Sequence, residues 1–318
     1  MKSFLDNIMP ENDVPRKWVA IGLTVIIAGV LTIWAIYGAG DYGVALFVLV
    51  PLFIGANATV LYGYDKDLKR KEAFLLGFLA LAFYLAGLIL FAIEGLICIA
   101  MAAPFGIILT WLGCLLGHGL ISKVPNGGPP TMLLLALAIP VVSFIERGSE
   151  PELTAVVTSI EIEADPETVW KNVVEFPELD EPNELLFKAG IAYPINAKIE
   201  GKGVGAIRNC NFTTGSFVEP ITVWDQPRLL SFDVQEQPAP MKEISFWDVD
   251  APHLHDYFVS KKGQFKLTKL PNGHTLLEGT TWYYHNINPA FYWRLWSNAI
   301  VHKIHERVLK HIKRNAER

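Results

Sequence analysis

Cysteine is scarce in this chain, with three in 318 residues. Cys98 and Cys114 lie in apolar runs, and Cys210 stands alone in the second half. These build neither a disulfide framework nor a thiolate metal site, and the sequence implies no cofactor. An excess of basic charge is also missing. Lysine and arginine total 27 against 32 acids, a formal net charge of −5. That balance points to no nucleic-acid partner. The start lacks the basic residues followed at once by a short apolar stretch that mark a secretory signal. Instead the segment up to Lys17 is polar and mixed in charge. The HExxH spacing of zinc hydrolases is missing too. The nearest sequence, His302-Lys303-Ile304-His305-Glu306, has the wrong order and reads as a solvated or rim face of a helix.

Charge itself is missing from long stretches of the first half. No charged residue stands from Trp18 to Gly40 or from Tyr42 to Tyr64. At 1.5 Å per helical residue, either run can cross a hydrocarbon core of ~30 Å. The full pattern predicts membrane helices at about 18–40, 42–64, 73–93, 95–121 and 131–145, with Pro104 in the fourth and Pro140 in the fifth. The fifth is short. It spans if its ends snorkel or the bilayer thins; the alternative is a re-entrant or interfacial helix. The expected organisation is a membrane domain over 1–146, a linker over 147–152 and a soluble domain over 153–318. Arg16 and Lys17 precede the first run, Lys66, Lys69, Arg70 and Lys71 follow the second, and Lys123 follows the fourth. The loops at Asp41 and Glu94 carry no cation. The positive-inside rule then puts the N-terminus on the cytoplasmic side of an inner membrane. Five crossings leave the second half outside the cytoplasm, and four leave it inside. Glu94 reads as a water-facing turn and His118 as interfacial. Gly113, Gly117 and Gly119 offer a face for close helix contact, within the bundle or with another copy in a homo-oligomer.

The second half has the charge content and alternation of a soluble α+β domain. TAVVTSIEIEA reads as a strand. Asp165 is placed to cap a helix with Pro166 in its first turn, and that helix stops at Pro177. A second short helix fits ELDEPNELLF. Five more strand segments follow: AKIEGKGVGAIRNCNF, GSFVEPITVWD, RLLSFDVQEQ, DYFVSKKGQFKLTKL and HTLLEGTTWYYHN. After Asn288-Pro289 comes one long amphipathic helix with an apolar stripe of Leu295, Ile300, Ile304, Val308 and Ile312. Residues 237–253 form an irregular insert with Phe246 and Trp247.

This order and three of its segments resemble the START-like superfamily, the polyketide cyclase/dehydrase and lipid-transport group also called SRPBCC. The segments are IEIEADPETVWKNV, VGAIRNCNFTTGSFVEPITVWDQPRLLSFDV and GQFKLTKLPNGHTLLEGTTWYYHNINPAFYWRLW, and the resemblance covers about 153–314. It implies a helix-grip fold, in which a curved antiparallel sheet wraps the C-terminal helix around an apolar cavity. It implies nothing about residues 1–146.

Such folds host carriers, sensors, cyclases, dehydratases and hydrolases, so the site must decide. Aromatic residues dominate the second half. Ligand sites are apolar with few polar groups, which makes Trp224, Phe232, Phe246, Trp247, Tyr257, Trp282, Tyr284, Trp293 and Trp296 candidate ligand contacts. Phe246 and Trp247 fit a lid, a bilayer-interface contact or ordinary packing. Alternation puts Ala206, Arg208 and Cys210 on one strand face. Arg208 faces either solvent or the cavity. In the cavity it would hold an anionic head group, with Glu219 or Glu278 as internal partner. His253, His255 and His285, with Asp248, Asp250 or Asp256, are the candidate catalytic set of an enzyme alternative, as a metal or acid–base group. The expected function is membrane-anchored binding, sensing or transfer of a lipid or other hydrophobic small molecule. The alternative is a cyclase-, dehydratase- or hydrolase-type enzyme using the same cavity.

Overall fold

The computed structural model describes residues 8–123, 128–146, 151–247 and 249–318. Asp248 and the 147–150 part of the expected linker lie outside the described residues. Contacts divide the chain into two compact units. The first comprises Met1–Ser149, Glu243–Pro252 and Ile287–Pro289; the second comprises Glu150–Lys242, His253–Asn286 and Ala290–Arg318.

The first unit is helical. Its helices are α1 (Asp13–Ile33), α2 (Val50–Gly63), α3 (Arg70–Leu90), α4 (Leu96–Lys123) and α5 (Gly128–Glu146). Widened turns extend α1 to Ala39 and begin α2 at Ala45. Gly40 closes α1 at a left-handed φ of 62°, a conformation that glycine adopts without penalty. Four spans are long and apolar enough to cross a membrane: Asp13–Ala39, Ala45–Gly63, Arg70–Leu90 and Leu96–Ser122. The apolar part of α5, Pro130–Glu146, is shorter.

Large apolar side chains such as Ile26, Val30, Leu75, Leu90, Leu134 and Phe144 point outward. Water would penalise that surface, whereas lipid would not. The interior is built from small and polar residues. A Cβ at Gly113 would lie 2.2 Å from the Leu52 carbonyl oxygen, and one at Gly117 would lie 2.7 Å from that of Ala56. The glycine face is therefore filled by α2 of the same chain, while a Cβ at Gly119 would meet nothing within 4 Å. Asn57 donates to Thr24 at 2.9 Å, and Thr32 pairs with Tyr84 at 2.7 Å. The His118 ring donates through Nε2 to the Leu68 carbonyl at 2.9 Å, tying α4 to the loop after α2.

Helix α5 runs antiparallel to α4. Near its start Met132 packs on Ala56 and Val60 beside Leu120 and Ile121. At its end the Glu146 carboxylate accepts from the backbone N–H groups of Val44 and Ala45 at 3.1 and 3.3 Å. Glu94 departs from the expected water-facing turn, because it is buried. Burial pushes its carboxyl up to about 8, against a hydrogen bond from Tyr42 and with help from nearby Glu243.

The second unit is a seven-stranded antiparallel sheet with a long helix. Its elements are β1 (Thr154–Ile162), α6 (Pro166–Val174), α7 (Leu185–Lys188), β2 (Pro194–Glu200), β3 (Ile207–Phe212), β4 (Gly215–Asp225), β5 (Leu229–Asp233), β6 (Phe258–Lys269), β7 (Thr275–His285) and α8 (Ala290–Ala316). The sheet order is β1-β7-β6-β5-β4-β3-β2. Asp165 caps α6 as expected, accepting from the N–H groups of Glu167 and Thr168 at 3.0 and 3.1 Å. The segment read as one strand over AKIEGKGVGAIRNCNF is a hairpin of β2 and β3. Gly201, Gly203 and Gly205 turn the chain there with φ values of 88–93°.

Apolar residues from the sheet, α6 and α8 form the core. Among them are Ile162, Trp170, Leu230, Leu277, Leu309 and Ile312. Each such side chain contributes roughly 1.5–3 kcal/mol on burial. On α8 the buried stripe runs through Val301, Val308, Leu309 and Ile312, and Leu295 is exposed, outside it.

Candidate ligand-binding site

A cavity of about 130 Å³ lies between the sheet and α8. Phe176, Phe212, Phe217, Phe232, Phe258 and Phe265 contribute rings to its wall, and Val301, Ile304 and Val308 close the helix side. Strand alternation builds the sheet wall, because every second side chain of β6 turns inward. A bulge between Ser260 and Lys262 resets that alternation.

A buried charge pair stands in this largely apolar wall, to which Lys262 also contributes. Arg208 on β3 is only 2 % exposed and sits directly opposite Glu219 on β4. Its guanidinium forms an ion pair with Glu219 and donates through Nε to the Val174 carbonyl at 3.2 Å. The Phe176, Phe232 and Phe265 ring centroids lie 5.4–5.7 Å from its central carbon, within cation–π reach. Burial pushes the Glu219 carboxyl up, and the guanidinium in contact pulls it down. With an always-charged partner at its side, the pair is ionic and net neutral. Burial also pushes the neighbouring Cys210 thiol up to about 12, which leaves it unreactive.

His305 of α8 is the imidazole among the described cavity-lining residues. Its Nε2 pairs with the Thr281 hydroxyl at 2.7 Å and its Nδ1 with that of Thr158 at 3.1 Å. His302 reaches the same Thr158 hydroxyl at 2.7 Å. Burial, helped by His302, lowers His305 to about 4, so the ring is neutral. Of the solvated or rim face expected for this helix segment, His302 is exposed, while His305 is half-buried and lines the cavity.

The structure brings only part of the sequence-predicted set together. Arg208 and Phe232 line the cavity. Trp224 packs edge-on against Trp170, at 5.6 Å, in the core. Trp282 and Tyr284 lie on the opposite face of β7, where Lys262 and Lys261 sit over their rings. The inward positions of β7 are Leu277, Gly279, Thr281 and Tyr283: Leu309 approaches Gly279, His305 bonds Thr281 and Tyr283 donates to Asn298. Trp293 is buried near the start of α8, while Trp296 and Tyr257 are half-buried; all three lie off the cavity. Phe246 and Trp247 are exposed.

His253 is buried in a 3-10 turn (Pro252–Leu254), His255 is exposed and His285 is half-buried at the end of β7. None of the three lines the cavity. Asp250 and Asp256 are exposed. Glu278, the other partner considered for Arg208, pairs instead with Lys266 at 3.5 Å.

The class defined by this sheet, helix and cavity is the helix-grip fold that the START-like resemblance implies. Among solved structures the chain is similar to a protein from Nitrosospira multiformis, at 16 % identity, covering 50 % of this chain and 94 % of that one with a TM-score of 0.33. It is similar to a truncated norcoclaurine synthase from Thalictrum flavum at 14 % identity, covering 52 % and 95 % with a TM-score of 0.32. An aromatase/cyclase from Streptomyces sp. R1128 aligns at 12 % identity over 52 % and 95 % with a TM-score of 0.34. No family model and no curated protein matches the sequence.

Proposed function

We propose that this chain is a membrane-anchored module that binds a small, uncharged, hydrophobic molecule in the cavity under α8. The observation that carries this reading is a ring-lined cavity whose buried cation, Arg208, is already neutralised from within, Lys262 being turned toward the Trp282 ring. An anionic head group, expected of Arg208 from the sequence, would leave a net negative charge in an apolar wall, which is costly. A ligand that only accepts a hydrogen bond from Arg208 avoids that cost. Size points the same way. A dry cavity of roughly 150 Å³ holds one benzene ring, and 130 Å³ suits one ring better than a long acyl chain. The enzyme alternative rests on His305, since none of His253, His255 and His285 lines the cavity. Both nitrogens of His305 are occupied by threonines, which favours binding over proton transfer.

The anchor reading extends to orientation. Met132 of α5 packs near the cationic loop and Glu146 lies at the opposite end, beside Val44. A fifth crossing in this direction, with cations on the cytoplasmic side, takes the chain out of the cytoplasm before β1. A reporter that fluoresces only in the cytoplasm, fused after Arg318, is expected to stay dark. Bright cells would remove the fifth crossing.

Purified full-length protein in nanodiscs tests the cavity. Phenol is expected to raise the melting temperature more than benzoate or palmitate, and Ile304→Trp, which puts a bulky ring into the helix-side wall, should abolish the phenol shift. A larger shift with benzoate or palmitate would refute the size and charge reading while leaving binding intact. No shift with any probe, together with no small molecule released on denaturation, would refute binding itself.

A further inference from the structure

The stretch from Glu243 to Trp247 belongs by sequence to the insert between β5 and β6, yet it packs with the helical unit. Glu243 accepts from the backbone N–H groups of Ile97 and Cys98 at 3.0 and 3.2 Å. The Ile244 carbonyl accepts from Leu96 at 3.1 Å. Three N–H groups in the first turn of α4, which has no intrahelical partners for them, are thus satisfied by this segment. The carboxylate also meets the positive end of the helix dipole. Gly95 makes room, since a Cβ there would lie 2.1 Å from a Glu243 oxygen. The segment is therefore strapped to the end of a span that is long and apolar enough to cross a membrane.

Beyond the strap its side chains turn away from the protein. Phe246 is 89 % exposed, Trp247 56 % and Ile244 46 %. The neighbouring ends of α3 and α4 behave alike: Leu90, Phe91 and Leu96 are 62 %, 79 % and 47 % exposed. Consecutive residues advance at most ~3.8 Å, so Phe246 stays within two residues' reach of the Ile244–Leu96 hydrogen bond. We infer that Ile244, Phe246 and Trp247 form a bilayer contact that inserts into the headgroup–acyl boundary beside the start of α4. Tryptophan and phenylalanine favour that boundary, where an aromatic ring is half in lipid and half near water. The exposed apolar helix ends make this surface continuous with the lipid-facing surface of the spans. Neither a lid over the cavity nor ordinary packing fits a phenylalanine this exposed. The contact is independent of the ligand reading, because it involves no cavity residue.

Spin labels test it in proteoliposomes. Cys98, Cys114 and Cys210 are replaced by alanine, and one cysteine is introduced by Phe246→Cys, Phe91→Cys or Lys266→Cys. Position 91 serves as the lipid reference. Position 266, whose side chain is 57 % exposed beside Glu278, serves as the water reference. The label at 246 is expected to match the one at 91, with collisions with oxygen exceeding those with a polar nickel chelate severalfold. A profile like that at 266, or protection from both reagents, would overturn the inference. At such an exposed site the substitution leaves folding untouched, so either result is decisive.

Discussion

The two units solve opposite packing problems with the same residues. In the helical unit large apolar side chains such as Leu90 and Phe144 face outward, and glycine, threonine and asparagine hold the inside together. In the sheet unit aromatic and aliphatic side chains fill the inside, and the charged residues are mostly outside. Where the surroundings are apolar, burying leucine gains little, so close backbone approach and hydrogen bonds hold helices together. Where the surroundings are water, area removed from solvent drives packing and a backbone can stay at a distance. The largest contrast should appear at glycines. Gly113→Leu forces a side chain into the Leu52 carbonyl and should abolish the folded bundle, read as loss of the monodisperse peak in detergent. Gly279→Ala on β7 places a Cβ 3.7 Å from Leu309, ordinary contact, and should change stability by less than ~1 kcal/mol.

A buried pair provides the next largest effect. Arg208→Leu alone strands the Glu219 carboxylate among rings and should cost roughly 3–5 kcal/mol in denaturant unfolding of the sheet unit. Arg208→Leu with Glu219→Leu removes both charges and should recover most of that loss. If the double variant is as unstable as the single one, the pair contributes more than mutual neutralisation, and the uncharged-ligand reading loses its basis.

The pH dependence of the two units should have opposite signs. Glu94 titrates near 4.5 when unfolded and at about 8 when folded. Between those values the folded state holds a proton that the unfolded state has lost. Stability of the helical unit therefore falls as pH rises from about 4.5 to about 8, then levels off. His305 titrates near 6.5 when unfolded and at about 4 when folded. Between those values only the unfolded state is protonated, so the sheet unit loses stability as pH falls from 6.5 toward 4. Each effect is on the order of a few kcal/mol. Thermal melts across pH should show both limbs, with Glu94→Gln flattening the first and His305→Gln the second. Parallel slopes in both variants would mean that other groups govern the titration.

Legibility in the sequence followed the range of the forces involved. The uncharged runs located the spans because a bilayer acts on each helix separately. The cap at Asp165 and the alternation that put Arg208 with Ala206 and Cys210 were local and readable. The β2–β3 hairpin was hidden because three glycines one, three and five residues past the end of β2 looked like part of one strand. The face of β7 was hidden because side-chain size drew attention to Trp282 and Tyr284, while the inward positions held Gly279, Thr281 and Tyr283. Gly279 within the strand was the available signal, since a strand glycine leaves its face without a side chain, here the face that Leu309 and Phe265 approach. Phe176 and Glu219 reach the cavity from separate elements, and no single stretch announces their meeting. The strap from Glu243 to Ile97 joins residues 146 apart, and no local pattern encodes it.

The smallest expected effect separates the two faces of β7. Trp282 is the most prominent aromatic residue of that strand, and its outward ring lies beneath Lys262 rather than in the cavity. Trp282→Ala removes a partly exposed ring and an exposed cation–π contact, together on the order of 1 kcal/mol. It should leave the melting shift with phenol unchanged. Phe232→Ala, two strands away on β5 and on the cavity side, removes a wall ring that lies against Arg208 and should reduce that shift severalfold. Truncation of a buried phenylalanine also costs ~3–5 kcal/mol, so Phe232→Leu keeps the fold while still removing the aromatic wall. If Trp282→Ala abolishes the shift and Phe232→Leu preserves it, ligand binds on the outer face of the sheet and the cavity is ordinary core.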